Sequence, residues 1–170
     1  MPSVADIERL YDEHAPALFG FVLNVTRSEA DTRDVLQEVF RKLAANPRLI
    51  EEMREERAYL LRLAHNLAID LARRREARSR NQDRWAAEAV PLFAESAGPD
   101  EAAFRAELEA ALGELPADQR AVVHLKLWER LTFEAIAEAL QIPLNTAASR
   151  YRYGLDKLRQ RLRPLYEEIT

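Results

Sequence analysis

Apolar residues recur along most of this chain at three- and four-residue spacing, with Glu, Asp, Arg and Lys filling many of the positions between. That period belongs to amphipathic helices rather than strands. Ser3, three residues before Asp6, forms a capping-box pattern and predicts a helix running toward Val25, with a break or kink at Pro16. Ser28 and Asp31 repeat the start signal. Val35, Leu36, Val39, Phe40 and Leu43 then line one face of a second helix that should end before Pro47. Asn46 to Glu56 reads as a loop or frayed turn. Beyond it Leu60, Ala64, Leu67 and Leu71 fall at i, i+4, i+7 and i+11 along a long helix that runs into Arg73, Arg74 and Arg75.

From about Ser79 to Pro99 the periodicity weakens, and Pro91, Gly98 and Pro99 punctuate a predicted linker on which Trp85 and Phe93 are candidates for docking. Asp100 is a candidate N-cap for a helix carrying Phe104, Leu108, Ala111 and Leu115, closed near Gly113 and Pro116. A further helix follows Pro116 with Val122, Val123, Leu125 and Leu127, ending around Glu129 and Arg130. Thr132 caps a short helix, Phe133 to Leu140. After a tight turn at Gln141, Ile142 and Pro143, the last helix runs from about Leu144 to Arg163, where Pro164 should stop it. The expected fold is all-α: two small helical domains, residues 1–78 and 100–170, joined by the linker 79–99.

Composition agrees, since only 4 Gly and 8 Pro occur among 170 residues and 48% of the chain is hydrophobic. The absence of cysteine excludes disulfides, thiolate metal sites and cysteine nucleophiles. The longest apolar stretch, Ala15 to Val25, is 11 residues interrupted by Pro16, Gly20 and Asn24, too short to span a bilayer. An N-terminus bearing Asp6, Glu8, Asp12 and Glu13 is unlike a signal peptide, so a cytoplasmic location is expected. The net charge of −4 hides an uneven distribution: Arg62 to Arg84 carries a local +4 and Arg150 to Arg163 a local +5, leaving −13 on the rest. Two separate cationic segments on an acidic body point to selective contact with a polyanion.

The last two helices carry the most information. A short helix, a three-residue turn and a long basic helix are the elements of a helix-turn-helix, whose second helix enters the DNA major groove. Leu144, Ala148, Tyr151, Leu155, Leu158 and Leu162 make an apolar seam, and Asn145, Ser149, Arg152, Asp156, Arg159 and Arg163 a polar strip beside it. Asn145, Thr146, Ser149 and Arg152, near the helix start, are placed to meet base edges; Arg150, Lys157 and Arg159 suit phosphates.

The run Leu115-Pro-Ala-Asp-Gln-Arg-Ala-Val-Val, then Leu131-Thr-Phe-Glu-Ala-Ile-Ala-Glu-Ala-Leu, then Thr146-Ala-Ala-Ser-Arg resembles domain 4 of bacterial sigma factors of the sigma-70 family. Leu10-Tyr-Asp-Glu-His, Asp34-Val-Leu-Gln-Glu-Val-Phe and Ala58-Tyr-Leu-Leu-Arg-Leu-Ala-His-Asn-Leu-Ala-Ile-Asp, with the Arg73 to Arg75 run, are similar to its domain 2. A chain with these two domains and a short linker resembles the extracytoplasmic-function (ECF) subgroup.

That resemblance implies a sigma factor: binding to core RNA polymerase through its large subunits, promoter recognition, DNA melting and transcription initiation. It places Asp34, Gln37, Glu38 and Phe40 on the polymerase, and Tyr59, Arg62, Asn66, Arg73, Arg74 and Arg75 on the −10 element. Tyr59 and His65 are candidates to stack on an unpaired base, and buried packing is an equal reading of both. Arg120, Asn145, Thr146, Ser149, Arg150 and Arg152 fall on the −35 element. It implies no cofactor, metal, small-molecule substrate or membrane insertion, and leaves room for an anti-sigma factor.

Two departures stand out. Ala148 replaces a common basic contact, which puts the preferred −35 sequence in doubt, and Glu51, Glu52, Glu55 and Glu56 make an acidic run beside an expected DNA strand. That run predicts either a turn away from the strand or a restraint on binding until polymerase engages. The alternative function is a polymerase-independent helix-turn-helix regulator, normally a dimer on duplex DNA. Catalysis is not expected: His14, His65 and His124 are scattered, and no HExxH, phosphate loop or nucleophile elbow occurs.

Overall fold

A computed structural model describes residues 2–79 and 99–169, which form eight helices and, among the described residues, no strand. The first half holds α1 (Val4–Thr26), α2 (Glu29–Ala45), α3 (Arg48–Glu52) and α4 (Glu56–Ser79). The second holds α5 (Pro99–Glu114), α6 (Ala117–Leu127), α7 (Phe133–Leu140) and α8 (Leu144–Ile169). The expected linker, with Trp85 and Phe93, lies mostly outside the described residues.

Local chemistry sets most of these boundaries. The Ser3 amide donates to Asp6 Oδ2 at 2.7 Å, completing the capping box. Ser28 Oγ accepts from Asp31 N at 3.3 Å and Thr132 Oγ1 from Ala135 N at 3.1 Å. At the end of α7, Gln141 takes the left-handed conformation usually given to glycine (φ 55°), and Ile142 N reaches back to Ala137 O at 3.0 Å. This Schellman closure makes the turn tight enough for α8 to start at Leu144.

Three expectations fail. Pro16 does not break α1, and Pro164 does not stop α8. Both prolines are exposed, so the carbonyl each deprives of a partner can turn to water, and in α1 the buried residues Leu10, Ala15, Leu18 and Phe21 hold both sides of Pro16 to one core. The Asn46 to Glu56 loop contains the short α3. The seam of α8 holds at Leu158 and Leu162, which are buried, and at Tyr151 and Leu155, which pack on the core, while Leu144 is 46% exposed and Ala147 and Gly154 join the buried side. A Cβ on Gly154 would come 2.8 Å from Val123 Cγ2, so α8 approaches α6 at its smallest residues rather than its largest.

α1, α2 and α4 pack on one another, and α6, α7 and α5 gather on α8. The halves also pack together, α1 against α6 and α4 against α7. One apolar cluster runs from Leu10, Phe21, Val39, Leu60 and Ala64 into Val122, Leu125, Ile136 and Ala147, while Leu112, Leu115, Leu158 and Leu162 fill a second beneath α5. Polar contacts close the seam between halves. Asn24 Nδ2 lies 3.0 Å from His124 Nδ1, Arg57 Nη2 donates to Glu129 O at 2.6 Å and to its carboxylate, and Arg27 Nη2 reaches Glu109 O at 2.9 Å.

Candidate nucleic-acid interface

On α8, Asn145 and Arg152 are exposed and Thr146, Ser149 and Arg150 half-buried, so the strip expected to meet base edges remains open to a ligand. Asn145, Ser149 and Arg152 follow one another at i, i+4 and i+7 on one helix face. The Arg152 guanidinium rests 5.2 Å from the centroid of Tyr153, itself 54% exposed, which steadies the long side chain with a contact that a phosphate or base can replace.

Arg120 is the correction in this set. Expected on DNA, it is instead 7% exposed, donating through Nη1 to the carbonyls of Leu112, Gly113 and Leu115 and through Nη2 to Val25 O at 2.8 Å. These carbonyls belong to the C-terminal ends of α5 and α1, or lie just past them, where a cation is favoured. Burial, followed by the neighbouring Arg27, pulls the Arg120 pKa down to about 10, leaving the group cationic near neutrality. In this state Arg120 is a helix-end clasp, with no face left for a phosphate.

On α4, Asn66, Arg73 and Arg74 are exposed and Tyr59 and Arg62 half-buried, with the Arg62 guanidinium 5.3 Å from the Tyr59 centroid. Tyr59, Arg62, Asn66 and Arg73 lie along one strip, about 20 Å long at about 1.5 Å per residue. Arg75 differs. Its guanidinium pairs with Asp31, a carboxylate 4% exposed at the start of α2. Burial pushes the Asp31 carboxyl up, and Arg75 opposes that shift.

Of the two readings of His65 the structure supports packing: it is buried and stacked on Phe21 with centroids 6.1 Å apart. Burial lowers its pKa; Asp118 and the neighbouring Asn66 act the other way, and Arg150 and Arg73 add to the lowering.

On α2, Asp34 and Gln37 are exposed, and Glu38 and Phe40 half-buried. Arg41 forks onto Glu38 at 2.7 and 2.8 Å and holds that carboxyl below its usual range. Phe40 packs edge-on against Tyr11 of α1 at 5.1 Å, and with Ile7, Glu8 and Asp12 these rings line an open groove of about 310 Å³. Tyr11, 51% exposed, belongs to this surface although the hydrophobic pattern of α1 gave no reason to single it out. The acidic run divides: Glu51, Glu52 and Glu55 are exposed, while Arg9 and His14 tie Glu56 to α1. Glu13, His14 and Glu56 bring three metal-ligand atoms within 4.8 Å, but Arg9 already donates to both carboxylates.

Fold and surfaces together define a two-part helical DNA-binding protein whose second part is built on a helix-turn-helix. Residues 10–78 match the family Sigma-70 region 2 and residues 111–160 match Sigma-70, region 4. The chain is 34% identical over 160 residues to the ECF RNA polymerase sigma factor SigL of Mycobacterium tuberculosis, covering 92% of this chain and 88% of that protein. It is 28% identical to the ECF sigma factor SigX of Bacillus subtilis over 94% of this chain and 85% of that one. A solved structure of the sigma factor RpoE in complex with the anti-sigma factor NepR, from Bartonella quintana, shares the fold with a TM-score of 0.79 at 21% identity, covering 94% and 98% of the two chains. The chain belongs to the ECF group of sigma-70 family RNA polymerase sigma factors. Among the described residues, no helix is long and apolar enough to cross a membrane.

Proposed function

We propose that this sigma factor binds core RNA polymerase through the outward face of α2, with Asp34, Gln37, Glu38 and Phe40, and reads promoter DNA with two helices. α4 takes the −10 element through Tyr59, Arg62, Asn66, Arg73 and Arg74, and α8 takes the −35 element through Asn145, Thr146, Ser149, Arg150 and Arg152. The observation that carries the reading is the open strip Asn145, Ser149 and Arg152 on the second helix of a closed helix-turn-helix. The protein acts in the cytoplasm and performs no catalysis of its own; it lends sequence preference to an enzyme that has the chemistry. Two modest cationic surfaces suit that role, because a scaffold fixing their separation turns the second contact into an intramolecular one. An anti-sigma protein is a further proposed partner, in keeping with the neighbour of the same fold.

The test is reconstitution. The purified chain should co-elute with bacterial core polymerase and direct initiation from a matched promoter, in a reaction that weakens steeply with added salt. Arg152→Ala should lower initiation about 5- to 150-fold, the loss of one base contact worth about 1 to 3 kcal/mol, while the melting temperature stays within a degree or two. Failure to bind core combined with tight binding to a palindromic duplex would establish the polymerase-independent regulator instead.

A further inference from the structure

Two helical glycines of this chain are there for different reasons. Gly154 faces Val123 too closely to carry a methyl group. Gly20, inside α1, has the room: a Cβ built on it meets nothing within 4 Å. Glycine disfavours a helix interior, so crowding does not account for its presence here. Gly20 instead borders a partly open cavity of about 290 Å³ between α1 and the end of α6. Pro16, Ala17 and Gly20 make one wall, with little side chain on it. His124 and Trp128, their ring centroids 5.4 Å apart, make another. The volume sits at the lower end of small-molecule sites, which run from about 300 to 1,000 Å³.

The polar groups that line this cavity are specific. Asn24 is 2% exposed; its Nδ2 lies 3.0 Å from His124 Nδ1, while its Oδ1 has no hydrogen-bond partner among the described residues. A buried amide oxygen left unmet is costly. Because the amide nitrogen can only donate, the imidazole proton belongs on Nε2, which faces Glu129 Oε1 at 3.8 Å. His124 holds the Glu129 carboxyl below its usual range against the effect of burial, and Arg57 helps, so the group is an anion near neutrality. Arg57 pairs with Oε2, and each carboxylate oxygen has a second lone pair to offer. The cavity therefore presents an unmet amide oxygen and a carboxylate beside two aromatic rings and a bare helix wall. A flat ligand that brings N–H donors satisfies both acceptors, whereas an anion would set its own lone pairs against them.

We propose that this cavity is a binding site for a small aromatic amine or amidine, its ring lying between Gly20 and the rings of His124 and Trp128 and its N–H groups donating to Asn24 Oδ1 and the Glu129 carboxylate. None of these residues belongs to the surfaces proposed for polymerase or DNA.

Benzamidine is the probe, and benzoate, the same ring with acceptors in place of donors, is its control. The chain has two tryptophans, Trp85 and Trp128, so Trp85→Phe leaves the fluorescence of Trp128 as a reporter inside the site. Benzamidine should change that emission saturably with a dissociation constant of about 1 mM or tighter and raise the melting temperature, with benzoate at least tenfold weaker. Gly20→Leu should abolish the saturable change while the melting temperature holds or rises, since the added side chain enters the cavity and leucine favours helix. Asn24→Leu should weaken benzamidine at least tenfold; it also takes a donor from His124, and Gly20→Leu decides the matter if that variant folds poorly. No saturable response, equal affinity for benzoate, or unchanged binding in Gly20→Leu would overturn the site. Tighter binding of N-acetylarginine amide than of benzamidine would assign the cavity to an arginine side chain of a protein partner, and would overturn the small-molecule occupant.

Discussion

Arg75 lies at the end of a basic run that charge counting treats as uniform, yet its partner is the buried carboxylate of Asp31. Truncating it takes the charged donor from a buried acceptor, and leaving such a group unpaired costs about 1 to 3 kcal/mol. Arg75→Ala should therefore lower the urea midpoint by an amount in that range, whereas Arg74→Ala, an exposed neighbour, should stay within about 0.5 kcal/mol. Equal and negligible shifts for both would show that Asp31 is satisfied without Arg75. The same distinction separates Arg120 from Arg152. Both are arginines in segments similar to a DNA-reading family, and nothing in their local sequence says that one finds four carbonyls and the other solvent. Such partners come from helix ends distant in sequence, which periodicity does not report. The strip Asn145, Ser149 and Arg152 was legible because its spacing alone puts it on one face.

Helices were legible where their signals are local. Ser3, Ser28 and Thr132 as caps, the end of α2 before Pro47 and the turn at Gln141 to Pro143 all follow from side chains within a few residues. Contact faces were less so. Ranking positions by apolar size picked Leu144 and passed over Gly154, because closeness of approach between helices depends on what is small. Gly154→Ala gives a direct measure. Alanine favours helix by about 1 kcal/mol, but its methyl meets Val123, a β-branched side chain with little freedom to turn aside, and overpacking costs about 1 to 3 kcal/mol. The net effect should be destabilising by up to about 2 kcal/mol in thermal or urea unfolding. A stabilised variant would mean that α8 shifts along α6 without loss.

At the scale of the whole molecule, two helical halves were readable from the chain, but their joint core was not, since each half's apolar positions look alike whether they face inward or toward the other half. His65 records that closure. Its imidazole is buried against Phe21, and burial holds its pKa below the ordinary value of about 6.5, so the unfolded chain binds a proton more readily than the folded one. Stability should hold above that ordinary value and decline as pH falls through it toward the lower folded value. Unfolding measured at about pH 7.5 and at about pH 5.5 should show the decline in the wild-type protein and a smaller one in His65→Leu. Identical slopes would place the acid sensitivity elsewhere.

Helices α1 and α5 point their carbonyl-bearing ends at one guanidinium, that of Arg120, with Arg27 beside it. Two like dipole ends would otherwise repel, so the arginines act as a key that admits one mutual orientation of the halves and rejects rotated ones. Moving α1 off α6 would bare the end of α1 and take Arg27 from Glu109, while Arg120 keeps the three carbonyls at the end of α5, so the orientation is set on the α1 side.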